Sequence, residues 1–356
     1  MPGTLPNKQF CQRVVPPGDY LIRAFSDRLT AVLIIHLLVA ALLLGGCNQP
    51  LLLESNAPKH VVLLLYGDSR KPLVDGFVEG LGELGYAEGE NIKFTFLNAQ
   101  NDPSQLEPMI QSMLDKDMDV LVACGGLESD AAHAVLQHSD IPVVNAQNSS
   151  IVERGLVASR QHPGWNITGV DSLGAEISGK RVELIHDLLP DARRVLILYH
   201  DKIAPSRIGY DVAAQTAAKL GMTVVGRTVV TRPEIENAMS SLRPGEVDAM
   251  LLVPSAPVDN ALEDIILPIA ARLNLPIMGH ARAQAKQGVF ASYGASSRQN
   301  GKQAARLADK VLRGVPASSL PFETPKQFEL IVNKSAAHTL NIKLPALAES
   351  QVNEFI

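Results

Sequence analysis

From His60 onward the chain alternates short aliphatic runs with segments of helical period, and this alternation narrows the accessible folds sharply. Val61–Leu65 is continuously aliphatic. The next segment puts Leu73, Phe77, Leu81 and Leu84 on one helical face and stops at Gly85. A strand followed by a helix is the expected reading, and the unit recurs. Strands are expected over Ile92–Leu97, Val120–Ala123 and Ile141–Val144, with helices over Gln105–Leu114 and Ser129–Gln137 between them. Strands that are apolar on both faces and joined by helices imply a parallel sheet covered on both sides. A second series begins past Trp165, with strands over Val195–Tyr199, Met222–Val225, Ala249–Val253 and Pro276–Met278. Its helices span Ser206–Leu220, Pro233–Leu242 and Asn260–Leu273. The remaining pieces, strand Val289–Ser292, helix Gln299–Arg313 and strand Phe328–Val332, would complete the sheets by crossing back between lobes. The expected architecture is α/β, two lobes with a cleft between them.

A formal charge of −5 gives no basic footprint, which argues against a nucleic-acid partner. Ahead of the first strand the chain has Arg23 and Arg28, the uncharged run Leu29–Leu44, and then Leu44-Gly45-Gly46-Cys47. Basic residues, a short apolar stretch and small residues before a cut are the marks of a secretory signal. The run is shorter than the ~20 residues a membrane-spanning helix needs. The alternatives are a buried helix or an N-terminal membrane anchor. The Leu44–Cys47 stretch resembles the lipobox of bacterial lipoproteins. That resemblance implies acylation of Cys47 and a mature protein outside the cytoplasm, tethered to a membrane. Pro50–Lys59 then reads as the linker to the first strand. Cys11 would be lost with the leader, leaving Cys124 alone as a core thiol with no disulfide partner. The chain from Cys47 onward is longer than a single core usually supports, and two domains are expected.

In open α/β sheets ligands bind outside the carboxyl ends of the strands. The loops at those ends carry the candidates. After the first strand stand Asp68 and Ser69. After the third comes Gly125-Gly126-Leu127-Glu128-Ser129, whose glycines admit close approach and whose following helix offers free N–H groups to an anion. An ordinary glycine-rich turn is the alternative. After the fourth strand, Asn145, Gln147 and Asn148 supply amides that donate and accept, suited equally to a small polar ligand or to a turn. In the second series the equivalent loops offer His200, Ser255 and His280. The histidines read as ligands, acid–base groups or plain surface residues. No Gly-x-Ser-x-Gly elbow, phosphate-binding loop or His-Glu-x-x-His pair is present. His133 and His138 are five apart, the wrong spacing for a metal pair on one helical face. Neither catalysis nor a cofactor nor a metal has positive support.

Phe77–Phe96 (FVEGLGELGYAEGENIKFTF), the stretch from Leu156-Val157-Ala158-Ser159 to Pro163–Val170, and Glu323–Leu330 (ETPKQFEL) resemble the ABC-transporter substrate-binding lipoproteins of the tryptophan/tyrosine-binding type. The resemblance runs from about His60 to Pro345. It implies a type I periplasmic-binding-protein fold: two Rossmann-like lobes with parallel sheets, hinged by three crossovers and closing on a small solute. The expected segmentation is a signal peptide over 1–46, a lipidated linker over 47–59, an N-terminal lobe over 60–166 with 292–318, and a C-terminal lobe over 167–291 with 319–356. By position the ligand loops fall on Asp68, Ser69, Gly125 to Ser129, Asn145 to Asn148, His200, Ser206, Ser255 to Pro257, His280 and Tyr293. Where relatives carry Thr-Pro-Ala-Ala-Gln this chain has Gly126-Leu127-Glu128-Ser129-Asp130. Where they carry Thr-Asp-Asn it has Ser255-Ala256-Pro257. The second change removes an expected cation partner, leaving Glu128 and Asp68 as the acidic groups near the cleft.

The resemblance implies an extracytoplasmic solute receptor of an ABC importer, without chemistry of its own, monomeric, lipid-anchored and docking on a membrane permease. A small polar solute, an amino acid or a related compound, is the expected cargo. A sensory lipoprotein using the same fold, and an envelope enzyme dependent on His200 or His280, are the rival readings.

Overall fold

The structure, a computed structural model, describes residues 57–356. The expectations for the leader and for Cys47 therefore fall outside the described residues. The first lobe begins with β1 (Lys59–Leu65), α1 (Lys71–Glu83), β2 (Ile92–Asn98), α2 (Leu106–Gln111) and β3 (Val120–Ala123). It continues through α3 (Gly126–Leu136), β4 (Val143–Asn148) and β5 (Ile167–Asp171). All five strands pair in parallel, in the order β2-β1-β3-β4-β5. Alternation along β1 feeds two cores. Val61 and Leu63 pack with Leu73, Phe77 and Leu81 of α1, whereas Val62 and Leu64 pack with Leu106, Ile110 and Leu136. Both faces are thus covered, which is why β1 reads as an unbroken aliphatic run.

The second lobe repeats the plan. Helix α4 (Ser178–Leu188) leads to β6 (Arg194–Tyr199), α5 (Ala204–Lys219), β7 (Thr223–Thr228), α6 (Arg232–Ser240) and β8 (Ala249–Leu251). Then come α7 (Ala256–Asn260), α8 (Leu267–Arg272), β9 (Ile277–Gly279), α9 (Arg282–Gln287) and β10 (Ala291–Ala295). The strand order β7-β6-β8-β9-β10 is that of the first sheet, extended by β11 (Phe328–Val332) and β12 (Glu354–Phe355). The second sheet is not wholly parallel, because β11 runs antiparallel to β10. The single helix expected over Asn260–Leu273 is three pieces, with a π-helical turn over Leu262–Ile266 between α7 and α8. Helix α10 (Ser297–Leu312) returns to the first lobe, and α11 (Lys334–Thr339) and α12 (Ala346–Glu349) finish the second.

The chain passes between the sheets three times: after Asp171, at Ser296, and between Glu323 and Phe328. These crossings differ from the expected lobe boundaries at 166/167, 291/292 and 318/319. Ile167–Asp171 pairs with β4 and so belongs to the first sheet, β10 stays in the second sheet through Ala295, and Glu323 bridges to Val170. The motif Ile-Thr-Gly-Val-Asp lacks the aliphatic run that marks the other strands. Its glycine is required by a close approach: a Cβ at Gly169 would lie 2.1 Å from the Asn145 carbonyl oxygen on β4.

Helix α10 seats on α1 through small residues. A Cβ at Gly76 would lie 2.0 Å from the Arg298 carbonyl oxygen, and one at Gly301 would lie 2.1 Å from that of Leu73. At the rim Lys302 pairs with Glu79 at 2.7 Å and with Glu83 at 2.8 Å. Gly76→Ala should therefore destabilise the protein by about 1–3 kcal/mol through overpacking. Gly82→Ala, on the open face of α1 with nothing within 4 Å, should stabilise it by about 0.5–1 kcal/mol. Urea unfolding of the two variants checks the pair.

Candidate functional site

In both sheets the chain turns opposite ways from the two central strands, β1 and β3 in one lobe, β6 and β8 in the other, which opens a crevice at their carboxyl ends. In the first lobe this crevice holds an ion pair. The Glu128 side chain is fully buried; its Oε1 accepts from Arg70 Nε at 2.8 Å and from the Tyr66 N–H at 2.9 Å, and its Oε2 from Arg70 Nη2 at 3.3 Å. Gly125 makes room for the guanidinium, since a Cβ there would lie 2.2 Å from Arg70 Nη2. Burial opposes the charge on Arg70, and Glu128 more than offsets it, so the guanidinium holds its proton above the ordinary range. The acidic group offered by Glu128 is thus already occupied within the protein. Asp68 and Ser69 are exposed, with Asp68 bridging Lys71 and Asn98 at 2.9 Å each. The Lys71 hydrogen bond holds the Asp68 carboxyl below its usual range.

The other first-lobe candidates form a buried polar cluster. Ser129 Oγ donates to the Gly125 carbonyl at 2.7 Å and accepts from Asn145 Nδ2. Gly126 packs under Arg154 and Asn148, each 3.4 Å from where a Cβ would sit. Arg154 in turn pairs with Asp130. Asn145 Oδ1, Gln147 Oε1 and Asn148 Nδ2 are buried with no hydrogen-bond partner in the protein. Such atoms cost roughly 1–3 kcal/mol each when left unmatched. They therefore mark where polar groups from outside the protein have most to gain.

In the second lobe the Ser206 hydroxyl is buried and accepts the His200 N–H at 2.9 Å, so it shapes the loop after β6. His200 Nδ1 accepts the Lys202 N–H at 3.2 Å. Ser255 is buried and its Oγ has no partner in the protein. His280 Nε2 meets Asp259 Oδ1 at 2.9 Å, and Gln284 Nε2 donates to the same oxygen at 2.8 Å. Asp259 lies on α7 just past β8, and His280 directly follows β9, so this trio stands at the carboxyl ends of two strands of the second sheet. Tyr293 stacks on Phe328, ring centroids 6.0 Å apart.

Three site groups went unseen in the sequence. Asp259 lies four residues past Ser255, and its role depends on α7 turning it toward His280. Arg181 is fully buried on α4 at the lobe junction, where Nε donates to the Tyr293 carbonyl and Nη1 to the Gly174 carbonyl, both at 2.7 Å. A signal for it exists: Ser178, Arg181, Val182, Ile185 and Leu188 are the buried face of α4, so an arginine sits on an apolar stripe. The third is a cluster at the first crossing. Asp171 Oδ2 accepts from Arg160 Nε at 2.7 Å, while Glu176 Oε1 accepts from Ser150 Oγ at 3.2 Å and Glu176 Oε2 has no partner in the protein. Among the described residues no three His, Cys, Asp or Glu side chains gather as a metal site, and no helix is long and apolar enough to cross a membrane. Cys124 is free and buried, and burial pushes its thiol pKa up.

Removing the carboxylate in Glu128→Ala should cost about 3–5 kcal/mol, because it strands Arg70 against the protein. Urea unfolding measures this directly. Burial raises the Glu176 pKa above its ordinary value. The folded state then favours the protonated acid, and the resulting stability is lost as pH rises from the unfolded value through the folded one. Glu176→Gln should consequently gain stability relative to the parent protein at pH 7 compared with pH 4, as read by denaturant unfolding at the two pH values.

A model of the ABC transporter substrate binding protein family matches residues 60–351. The tyrosine-binding protein of Clostridioides difficile (strain R20291) is 29% identical over 272 residues, covering 75% of this chain and 76% of that protein. Two of the solved structures that share the fold are similar over most of the chain. One is a conserved domain protein from Vibrio cholerae (TM-score 0.75, 24% identity, 84% of this chain and 100% of that one). The other is an ABC domain from Streptococcus pneumonia in complex with L-Trp (TM-score 0.75, 22% identity, 84% and 100%). The architecture is that of the type I periplasmic-binding proteins, and the family is one of solute binding rather than catalysis. With its match spanning nearly all of the described residues, this chain belongs to the ABC transporter substrate-binding protein family.

Proposed function

We propose that this protein is the extracytoplasmic receptor of an ABC importer, capturing an amino acid between its lobes and delivering it to a membrane permease. The observation that carries the reading is the set of buried polar atoms without protein partners on both sides of the cleft: Asn145 Oδ1, Gln147 Oε1 and Asn148 Nδ2 on one lobe, Ser255 Oγ on the other. A solute held between preformed donors and acceptors would satisfy them, and lobe closure around three crossings would exclude water. The amino-acid class is supported by the relative that binds tyrosine and by the L-Trp complex of a protein with this fold. Asp259, set by His280 and Gln284, is suited to receive the ammonium group in place of the acidic residue missing from Ser255-Ala256-Pro257. Cys47 would carry the lipid that keeps the receptor near its permease, as a monomer on the outer face of the membrane.

Calorimetric titration of the purified protein with the twenty amino acids tests the reading. At least one, aromatic members foremost, should bind with a Kd in the micromolar range or below, near −8 kcal/mol or stronger. Asp259→Asn should weaken that binding by about 10–100-fold, the worth of a charge-assisted hydrogen bond, with melting temperature nearly unchanged. Heat from no amino acid would end the amino-acid reading.

A further inference from the structure

Burying a guanidinium without a carboxylate beside it is expensive, and proteins rarely do so without a use for the charge. At the lobe junction Arg70 is neutralised by Glu128, Arg154 by Asp130 and Arg160 by Asp171. Arg181 is the exception. It is 0% exposed, it donates only to the neutral oxygens of Tyr293, Gly174 and Ser178, and its Nη2 has no partner in the protein. Its place in the fold adds direction. The Gly174 carbonyl that receives Nη1 belongs to a residue wedged between lobes: a Cβ on Gly174 would lie 3.1 Å from Ser149 Oγ and 3.5 Å from Pro254 Cγ. Ser149 and Pro254 adjoin Asn148 and Ser255, whose Nδ2 and Oγ are likewise unmatched.

We propose that Arg181 is the carboxylate anchor of this protein, its Nη2 donating to an anionic oxygen of the captured solute, with Asn148 Nδ2 and Ser255 Oγ as supplementary donors. The proposal rests on the cleft being the solute site. It narrows the cargo to compounds that carry a carboxylate. Burial pulls the Arg181 pKa down to about 9, so the group is still cationic at neutral pH and has an anion's charge to gain.

Calorimetric titrations of the purified protein with L-tyrosine, L-tryptophan, 4-hydroxyphenylacetate and indole-3-acetate, against L-tyrosinamide, tyramine and tryptamine, test this without any mutation. The carboxylates should bind about 10–100-fold more tightly than the matched amide or amine, in line with one charge-assisted contact. Arg181→Gln should remove that preference, bringing acid and amide to equal affinity, and Arg181→Lys should restore part of it. A purely structural role, bracing Tyr293 and Gly174, would instead lower the melting temperature and weaken acid and amide alike, which overturns the proposal. Amide or amine binding equal to that of the acids in the unmutated protein overturns it while leaving the amino-acid reading standing. Binding of 4-hydroxyphenylacetate or indole-3-acetate through Arg181, with all twenty amino acids silent, supports the anchor and ends the amino-acid reading. No heat from any carboxylate with the folded protein, the twenty amino acids included, overturns both.

Discussion

The contact on which the architecture depends is that of α10 on α1. A helix made of residues 297–312 has left the second lobe and lies against a helix made of residues 71–83, and it can do so only because Gly76, Gly80 and Gly301 remove the side chains that would hold the backbones apart. The seating contributes Ala304, Ala305, Leu307 and Ala308 to the first-lobe core. With α10 in place the chain must cross between the sheets at Ser296 and again after Glu323. Those two crossings join the one after Asp171 to make a three-stranded connection. A single linker would leave the lobes free to drift. Three confine them to hinge motion about a common edge, which is what a protein needs in order to open and close on a solute.

At that edge the polar groups divide into two kinds. Glu128 with Arg70, Asp171 with Arg160 and Ser206 with His200 are closed interactions, each charge or hydroxyl answered from within the chain. They give the loops after the strands a definite shape. Asn145, Gln147, Asn148, Ser255 and Arg181 are open: each is held by packing or by one set of bonds and left with a buried atom that nothing in the protein answers. In a low-dielectric setting the same isolation that makes an unmatched group costly makes its partner valuable. The closed set supplies rigidity, so a solute received by the open set would find it already ordered.

Much of the first lobe was legible because its strands are buried on both faces and so appear as aliphatic runs, with helices of clear period between them. Ile167–Asp171 was not legible as a first-lobe strand, since a strand with glycine at its centre and aspartate at its end shows no such run. Its membership of the first sheet comes from pairing with β4. Helix α4 hid for a related reason: Arg181 interrupts its apolar stripe with a charge, and only the packed structure reveals that Arg181 lies on the buried side. The loops at Asp68, Gly125, His200, Ser255 and His280 follow strands as expected, whereas Asn145, Gln147 and Asn148, read as a loop after a strand ending at Val144, belong to β4 itself, which runs to Asn148. Which of their side chains are engaged elsewhere was not readable, as the example of Glu128 shows, because its partner Arg70 is 58 residues away in the chain.

Taken alone, the sequence determined the two βα series, most of the loops that follow their strands and the core thiol at Cys124. These follow from periodicity and residue type, which are local properties. The tertiary structure decided the points at which the chain changes lobes, the pairing that engages Glu128 with Arg70, and the isolation of Arg181 among neutral oxygens. All three depend on which distant residues come within a few ångströms of one another. Charge and hydrogen-bonding capacity are written in the sequence; whether they are already satisfied is set only when the chain has folded.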